Sequence, residues 1–122
     1  MKKTYETGIQ GEKTAAEYLT RKLGMVLLEH RYRTKTGEID LILMDGETVV
    51  FAEVKTRRTG NPGNGLSAVN RTKQKRITQS AMLYLMRMGR MQAPVRFDLV
   101  EIVGEEILYV PNAFQPYGRF RI

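Results

Sequence analysis

The sequence has no cysteine and a single histidine, His30, so disulfides, thiolate metal centres and a cysteine- or histidine-based zinc site are excluded. Any metal held by this chain needs oxygen ligands, which points to Mg²⁺ or Mn²⁺ rather than structural zinc. A lone histidine in a stretch that alternates as a strand gives little reason to propose metal binding or general-base chemistry. No apolar run approaches the length of a membrane-spanning helix, and no signal-peptide pattern follows Met1-Lys2-Lys3; a cytoplasmic protein with no membrane partner is expected. Neither an internal repeat nor a low-complexity tract is present. Acidic residues are the minority among the charges: 13 Asp and Glu against 20 Lys and Arg leave a formal charge of +7, which favours a polyanionic partner such as nucleic acid. The 122 residues fit one domain over 1–122, large enough to bury roughly two-thirds of its unfolded surface in a single core.

What is present centres on residues 37–58, GEIDLILMDGETVVFAEVKTRR. Two β-branched and aliphatic runs, 38–44 and 48–54, are separated by Asp45-Gly46, a strong hairpin signal. With Asp45 and Gly46 as the loop, Met44 faces Glu47, Asp40 faces Phe51 and Glu38 faces Glu53. Side chains alternate between the two faces of a strand, so Asp40 and Glu53 become diagonal neighbours on one face, roughly 7–8 Å apart at the backbone and within reach of one cation. Lys55 stands beside them. The run Val49-Val50-Phe51-Ala52 is apolar on both faces and predicts an interior strand. Charges closing such a strand are costly without a partner or a task. Solvent exposure of Glu53 and Lys55 is the bland alternative.

Residues 4–23 predict a helix packed through Ile9, Ala15, Ala16, Leu19 and Leu23, with Gly24 as its C-terminal cap. Glu12 falls on that inward stripe and Glu17 does not, so Glu12 invites a function, with a nearby arginine as its ordinary alternative partner. A first strand follows over 25–33. The segment 59–65, rich in glycine, proline and asparagine, predicts a mobile loop beside the carboxylates. The longest helix is expected over 67–88, capped by Ser67 and ended by Gly89. Its second half packs through Ile77, Ala81, Tyr84, Leu85 and Met88; its first half carries Arg71, Lys73, Lys75 and Arg76. Charges of one sign weaken an isolated helix unless an anion is nearby, which favours phosphate contact over a merely solvated face. Strands over 94–103 and 107–110 close the domain. The tail with Phe114, Tyr117 and Phe120 is expected by default to wrap the core, with a subunit contact or stacking on a base as the alternatives.

The order helix, three strands, loop, helix, strands, with Glu12, Asp40 and Glu53-Val54-Lys55 in sequence, resembles the PD-(D/E)xK nuclease superfamily. More closely it resembles the small bacterial YraN family of proposed endonucleases, related in fold to archaeal Holliday-junction resolvases. The resemblance rests on Gly8-x-x-Gly11-Glu12, residues 37–42 and 50–57, Ala68-Val69 with Lys73, Arg96-Phe97-Asp98 and Ala113-Phe114; Ile39 stands where the superfamily often has proline. It implies an α/β fold, a restriction-endonuclease-like mixed sheet flanked by helices on both faces, and a metal-dependent nuclease site.

Phosphodiester hydrolysis needs an aligned water, a Lewis acid and a cation near the attacking oxygen. Asp40 and Glu53 would bind Mg²⁺ (or Mn²⁺), Glu12 would complete or adjust its coordination, and Lys55 would hold the water. Glu38 is a reserve ligand whose simpler reading is a solvated strand end. Arg57, Arg58, Arg71, Lys73, Lys75 and Arg76 would position the nucleic-acid backbone with little sequence preference. The expected function is a Mg²⁺-dependent DNA endonuclease. Junction preference, hence branched DNA, comes from the resemblance alone, and a resolvase needs a two-fold homodimer to cut paired strands. The alternative is a non-catalytic nucleic-acid-binding module that keeps the fold.

Overall fold

The computed structural model describes residues 2–58 and 69–116, with side chains from residue 8 onward. Helix α1 (Lys2–Glu17) runs into a π-helical turn (Tyr18–Lys22). Three strands follow, β1 (Val26–Thr34), β2 (Gly37–Asp45) and β3 (Thr48–Arg57), then α2 (Arg71–Met88), β4 (Val95–Val103) and β5 (Glu106–Phe114). The five strands form one sheet in the order β1-β2-β3-β4-β5. All neighbours are antiparallel except β3 and β4, which are parallel and joined by the crossover that contains α2.

The doubly apolar run of β3 has the consequence expected of it: alternate residues feed two cores. Val49 and Phe51 join Ile42, Phe97 and Leu99 beneath Ile77, Ala81, Tyr84 and Leu85 of α2. Val50 and Ala52 join Leu41, Leu43, Val100 and Ile102 beneath Ala15 of α1 and Leu19 of the π-turn. The protein is therefore an α/β domain whose mixed sheet carries a helix on each face, consistent with a restriction-endonuclease-like fold. An aromatic chain spans the α2-side core: Phe114 stacks on Phe97 at 5.1 Å, Phe97 on Phe51 at 5.5 Å, and Tyr84 meets both Phe51 and Tyr32 edge-on. Phe114 thus packs as the tail was expected to, inside a β5 that runs past Pro111; Tyr117 and Phe120 lie outside the described residues.

Several local expectations are corrected. The hairpin loop is Gly46-Glu47, because Asp45 pairs with Thr48. Gly46 has φ of +64° and Glu47 is not at positive φ, the requirement of a turn with glycine at its first central position rather than of one needing two left-handed residues. The register therefore moves by two residues, setting Ile42 opposite Phe51, an even shift that preserves the facing of the paired residues; Ile39, expected beside Leu41 and Leu43, instead joins Ile42 in the α2-side core. In the first helix Ala15 and Leu19 are fully buried, but Ile9 and Leu23 are about 40% exposed. The π-turn holds more residues per turn than an α-helix and so carries Leu23 out of phase with the stripe. Helix α2 begins at Arg71, with Asn70 as its N-cap accepting from the Lys73 amide at 2.9 Å. Ser67 and the glycine-rich segment 59–65 lie outside the described residues. Gly89 ends α2 as expected, at φ of +67°.

Candidate functional site

Asp40 sits where the sheet loses its regular rungs on both sides. Toward β3 the ladder runs from Asp45–Thr48 to Leu41–Ala52 and stops. Toward β1 it skips from His30–Leu41 to Tyr32–Ile39, and the residue in the gap, Arg31, has φ of +50°. Carboxylates take over where the backbone bonds end. The Val54 amide donates to Asp40 Oδ2 at 2.8 Å, and the Asp40 amide donates to Glu53 Oε2 at 3.4 Å. Each acid thus grips the other acid's strand, leaving Asp40 Oδ1 and Glu53 Oε1 outside this exchange. Lys73, from the first turn of α2, brings its Nζ to 3.6 Å from Glu53 Oε1.

The pair is short of positive charge. Glu53 is 3% exposed and Asp40 half-buried. Burial, then the Asp40 charge, push the Glu53 carboxyl up to about 8, against the pull of Lys73. Burial also pushes Asp40 up to about 6; the Val54 amide opposes this and the Glu12 charge adds to it. Two adjacent carboxyls forced toward protonation by desolvation and like charge are the arrangement that a divalent cation relieves. The donor set suits a hard cation that keeps several of its own waters, as Mg²⁺ does.

The other expected site residues distribute as follows. Glu12 is close enough to act on Asp40 electrostatically, but its Oε1 accepts from Arg31 Nε at 2.9 Å. Glu38 pairs with Arg33 at 2.8 Å. Among the described residues, no three acidic or histidine side chains gather into a metal-holding group. The structure thus brings Asp40 and Glu53 together and leaves Glu12 at the margin in an arginine's grip. Lys55 is exposed and lines a cleft of about 970 Å³ together with Glu12, Val54 and Arg58. His30 is an exposed strand residue.

Of the residues expected to hold phosphate, Arg58, Arg71, Lys75 and Arg76 are exposed. Arg57 is tied into an ion pair with the fully buried Glu101. Lys73 belongs to the carboxylates as much as to the basic helix, a role that sequence spacing hid because it depends on how α2 docks on the sheet. Lys73 and Arg76 line a second cleft of about 310 Å³, together with Gly37, Glu38, Asn70 and Thr72. Two buried acids beyond the site also went unassigned. Asp98 accepts from Arg96 Nε at 3.0 Å, the Asn112 amide at 2.8 Å and the Tyr109 hydroxyl; Glu101 holds Arg57. The legible signal was two acids within the otherwise apolar run 97–103, with an arginine two residues before the first.

The model for the family described as "Uncharacterised protein family UPF0102" matches residues 11–102 of this chain. A UPF0102 protein of Alkalilimnicola ehrlichii is 42% identical, over 93% of this chain and 90% of its own length. Another, from Alkaliphilus metalliredigens, is 44% identical over 88% of this chain and 96% of its own length. A third, from Symbiobacterium thermophilum, is 46% identical over 78% and 80% respectively.

Proposed function

This chain belongs to the uncharacterised protein family UPF0102 (YraN), and from that premise we propose that it is a PD-(D/E)xK-type endonuclease, dependent on Mg²⁺ or Mn²⁺, that hydrolyses phosphodiester bonds in DNA. The observation that carries the reading is the Asp40–Glu53 pair: two desolvated carboxyls, each fastened to the other's strand, beside the basic first half of α2. Asp40 and Glu53 would hold the cation, and Glu12 would adjust its surroundings if Arg31 released it. When bound, the cation supplies Lewis acidity toward the phosphoryl group.

The remaining work falls to side chains. Lys73 offsets part of the Glu53 charge and so limits the repulsion within the pair. Lys55, which lines the larger cleft, orients the attacking water and favours its deprotonated form. Arg58, Arg71, Lys75 and Arg76 hold the DNA backbone through charge alone, which gives salt-dependent binding with little sequence preference. Arg57 contributes less, because Glu101 already balances its charge. Branched DNA as the substrate, a homodimer as the cutting form and the cytoplasm as the location complete the proposal.

A second reading has its own observation. The Glu12–Arg31 pair, and the absence of a three-acid group among the described residues, favour a non-catalytic DNA-binding module that keeps the fold. Cleavage of branched and linear DNA with Mg²⁺ or Mn²⁺ separates the two. The nuclease reading expects cutting by the wild type, none by Asp40→Asn, and a loss of about 10²–10⁴-fold in Lys55→Ala. Binding by the wild type with no cutting in either metal selects the module.

A further inference from the structure

We propose that Arg31 is a latch on Glu12: it keeps that carboxylate out of the cation site until a DNA phosphate takes over its guanidinium, so that DNA and the cation strengthen each other's binding. This concerns the regulation of the proposed nuclease site and rests on that reading for the roles of Asp40, Glu53 and Glu12. The latch stands beside the site it would control. Arg31 occupies the place opposite Asp40 in the skipped rung of the β1–β2 ladder, between His30–Leu41 and Tyr32–Ile39. Its left-handed backbone is of the kind that persists only where surrounding contacts hold it. Its Nε lies 2.9 Å from Glu12 Oε1. Its Nη2 lies 3.9 Å from where a β-carbon on Gly8 would stand, so the guanidinium reaches along one turn of α1, and glycine puts no side chain over it. Gly8 and Glu12 both line the cleft to which Lys55 and Arg58 belong.

The exchange is balanced at Arg31 and unbalanced at Glu12. A guanidinium bonds carboxylate and phosphate oxygens with the same planar fork, and a phosphodiester carries the same single negative charge as Glu12, so Arg31 is neutralised by either. Its side chain is 27% exposed, open to a phosphate arriving from solvent. Glu12 is the costly partner. Its side chain is only 15% exposed and its charge already acts on Asp40; without the guanidinium it is left desolvated and repelled by the carboxylate pair. Positive charge held by Asp40 and Glu53 offsets that cost and gives Glu12 a new partner. Loss of the arginine is therefore far less costly with the cation than without it, and by linkage each ligand favours the other.

The Mn²⁺ affinity of the full chain without DNA, read from the EPR signal of the free ion, tests the latch. Arg31→Asn removes the guanidinium and puts in its place a residue that accepts left-handed backbone; it should raise the affinity about tenfold. Arg31→Gly, free of the same strain, serves as the second variant if the first does not melt cooperatively. The gain should nearly vanish in the Glu12→Gln background, where no carboxylate is left to release. An equal gain in both backgrounds would mean that Arg31 acts only through its own positive charge. That result, no gain at all, or no Mn²⁺ binding by either protein overturns the latch. The exchange for phosphate is read by fluorescence anisotropy with labelled branched DNA in Ca²⁺ and in EDTA at equal ionic strength. The ratio of the two affinities should be about tenfold larger in the wild type than in Arg31→Asn, and equal ratios overturn the exchange. Cleavage is scored separately. Cutting by the wild type with equal Mn²⁺ gains in both backgrounds keeps the nuclease and removes the latch, whereas a gain that depends on Glu12, with no cutting in Mg²⁺ or Mn²⁺, keeps the latch and removes the nuclease.

Discussion

Arg31 reaches Glu12 from a left-handed backbone: its Nε lies 2.9 Å from Glu12 Oε1 while its own φ is +50°. The kink falls in the skipped rung beside Asp40, so the residue that restrains Glu12 also opens the sheet next to the carboxylate pair. Such backbone costs an L-residue about 1–2 kcal/mol, and glycine escapes this at some expense in chain entropy. Arg31→Gly and Arg31→Ala both remove the guanidinium, but only glycine relieves the strain. Urea unfolding should find the glycine variant roughly 0.5–1 kcal/mol more stable than the alanine variant. An alanine variant at least as stable would mean that the kink stores no strain.

The kink also marks what the sequence could and could not disclose. The two apolar faces of β3, the position of α2 and the pairing of Asp40 with Glu53 follow from composition and alternation, which is why a register off by two residues still put the correct side chains together. Arg31 gave no such signal. An arginine at positive φ in a strand is set by the tertiary contact with α1, not by local propensity. Lys73 was hidden for a related reason: its contact with Glu53 depends on the angle at which α2 crosses β3, and helix periodicity alone does not encode that angle. Leu23 was lost to the π-turn, an insertion in helical phase that a fixed period cannot anticipate.

Helix α1 comes close to β3 at Gly11. A β-carbon built there would lie 2.1 Å from Thr56 Oγ1 and 3.2 Å from Thr56 Cβ, so Gly11→Ala forces the helix away from β3. Alanine would otherwise favour a helix by about 1 kcal/mol over glycine; here overpacking should reverse the sign and destabilise by about 1–3 kcal/mol. Thr56→Ala removes the nearest atom but not the β-carbon, so the double variant should recover part of the loss. A double-mutant cycle by denaturant unfolding measures that coupling, and additive losses would refute the contact.

Asp98 is fully buried and serves three donors: the Arg96 guanidinium, the Tyr109 hydroxyl and the Asn112 amide. Arg96 also meets Asp45 at 3.0 Å, so the cluster ties β4 to β5 and to the end of the β2–β3 hairpin. Burial, then its bond to Asp98, hold the Tyr109 hydroxyl well above its ordinary pKa, which keeps it a donor. Asp98→Ala leaves Arg96 to the more exposed Asp45 and takes the acceptor from the Tyr109 hydroxyl and the Asn112 amide, and should cost about 3–5 kcal/mol. Asp98→Asn keeps an acceptor and should cost less, while Tyr109→Phe should cost about 1 kcal/mol. That order in chemical denaturation is the check; a loss in Tyr109→Phe equal to that in Asp98→Ala would place the weight of the cluster on the hydroxyl instead.

The carboxylate pair makes stability depend on pH in the direction opposite to a salt-bridged acid. In the folded chain Asp40 and Glu53 are pushed up to about 6 and about 8, from ordinary values of 3.8 and 4.5. Between about pH 4 and pH 8 the folded state therefore holds protons that the unfolded chain has released, and stability falls as pH rises through that window. In EDTA the melting temperature should drop between pH 5 and pH 8 more steeply in the wild type than in Glu53→Gln, which keeps the shape of the side chain without its ionisation. A divalent cation replaces those protons with fixed charge, so Mg²⁺ at pH 8 should raise the melting temperature of the wild type and leave Glu53→Gln nearly unchanged. Parallel pH profiles for the two proteins, with no response to Mg²⁺ in either, would show that the pair lacks the charge deficit on which its reading as a cation site depends.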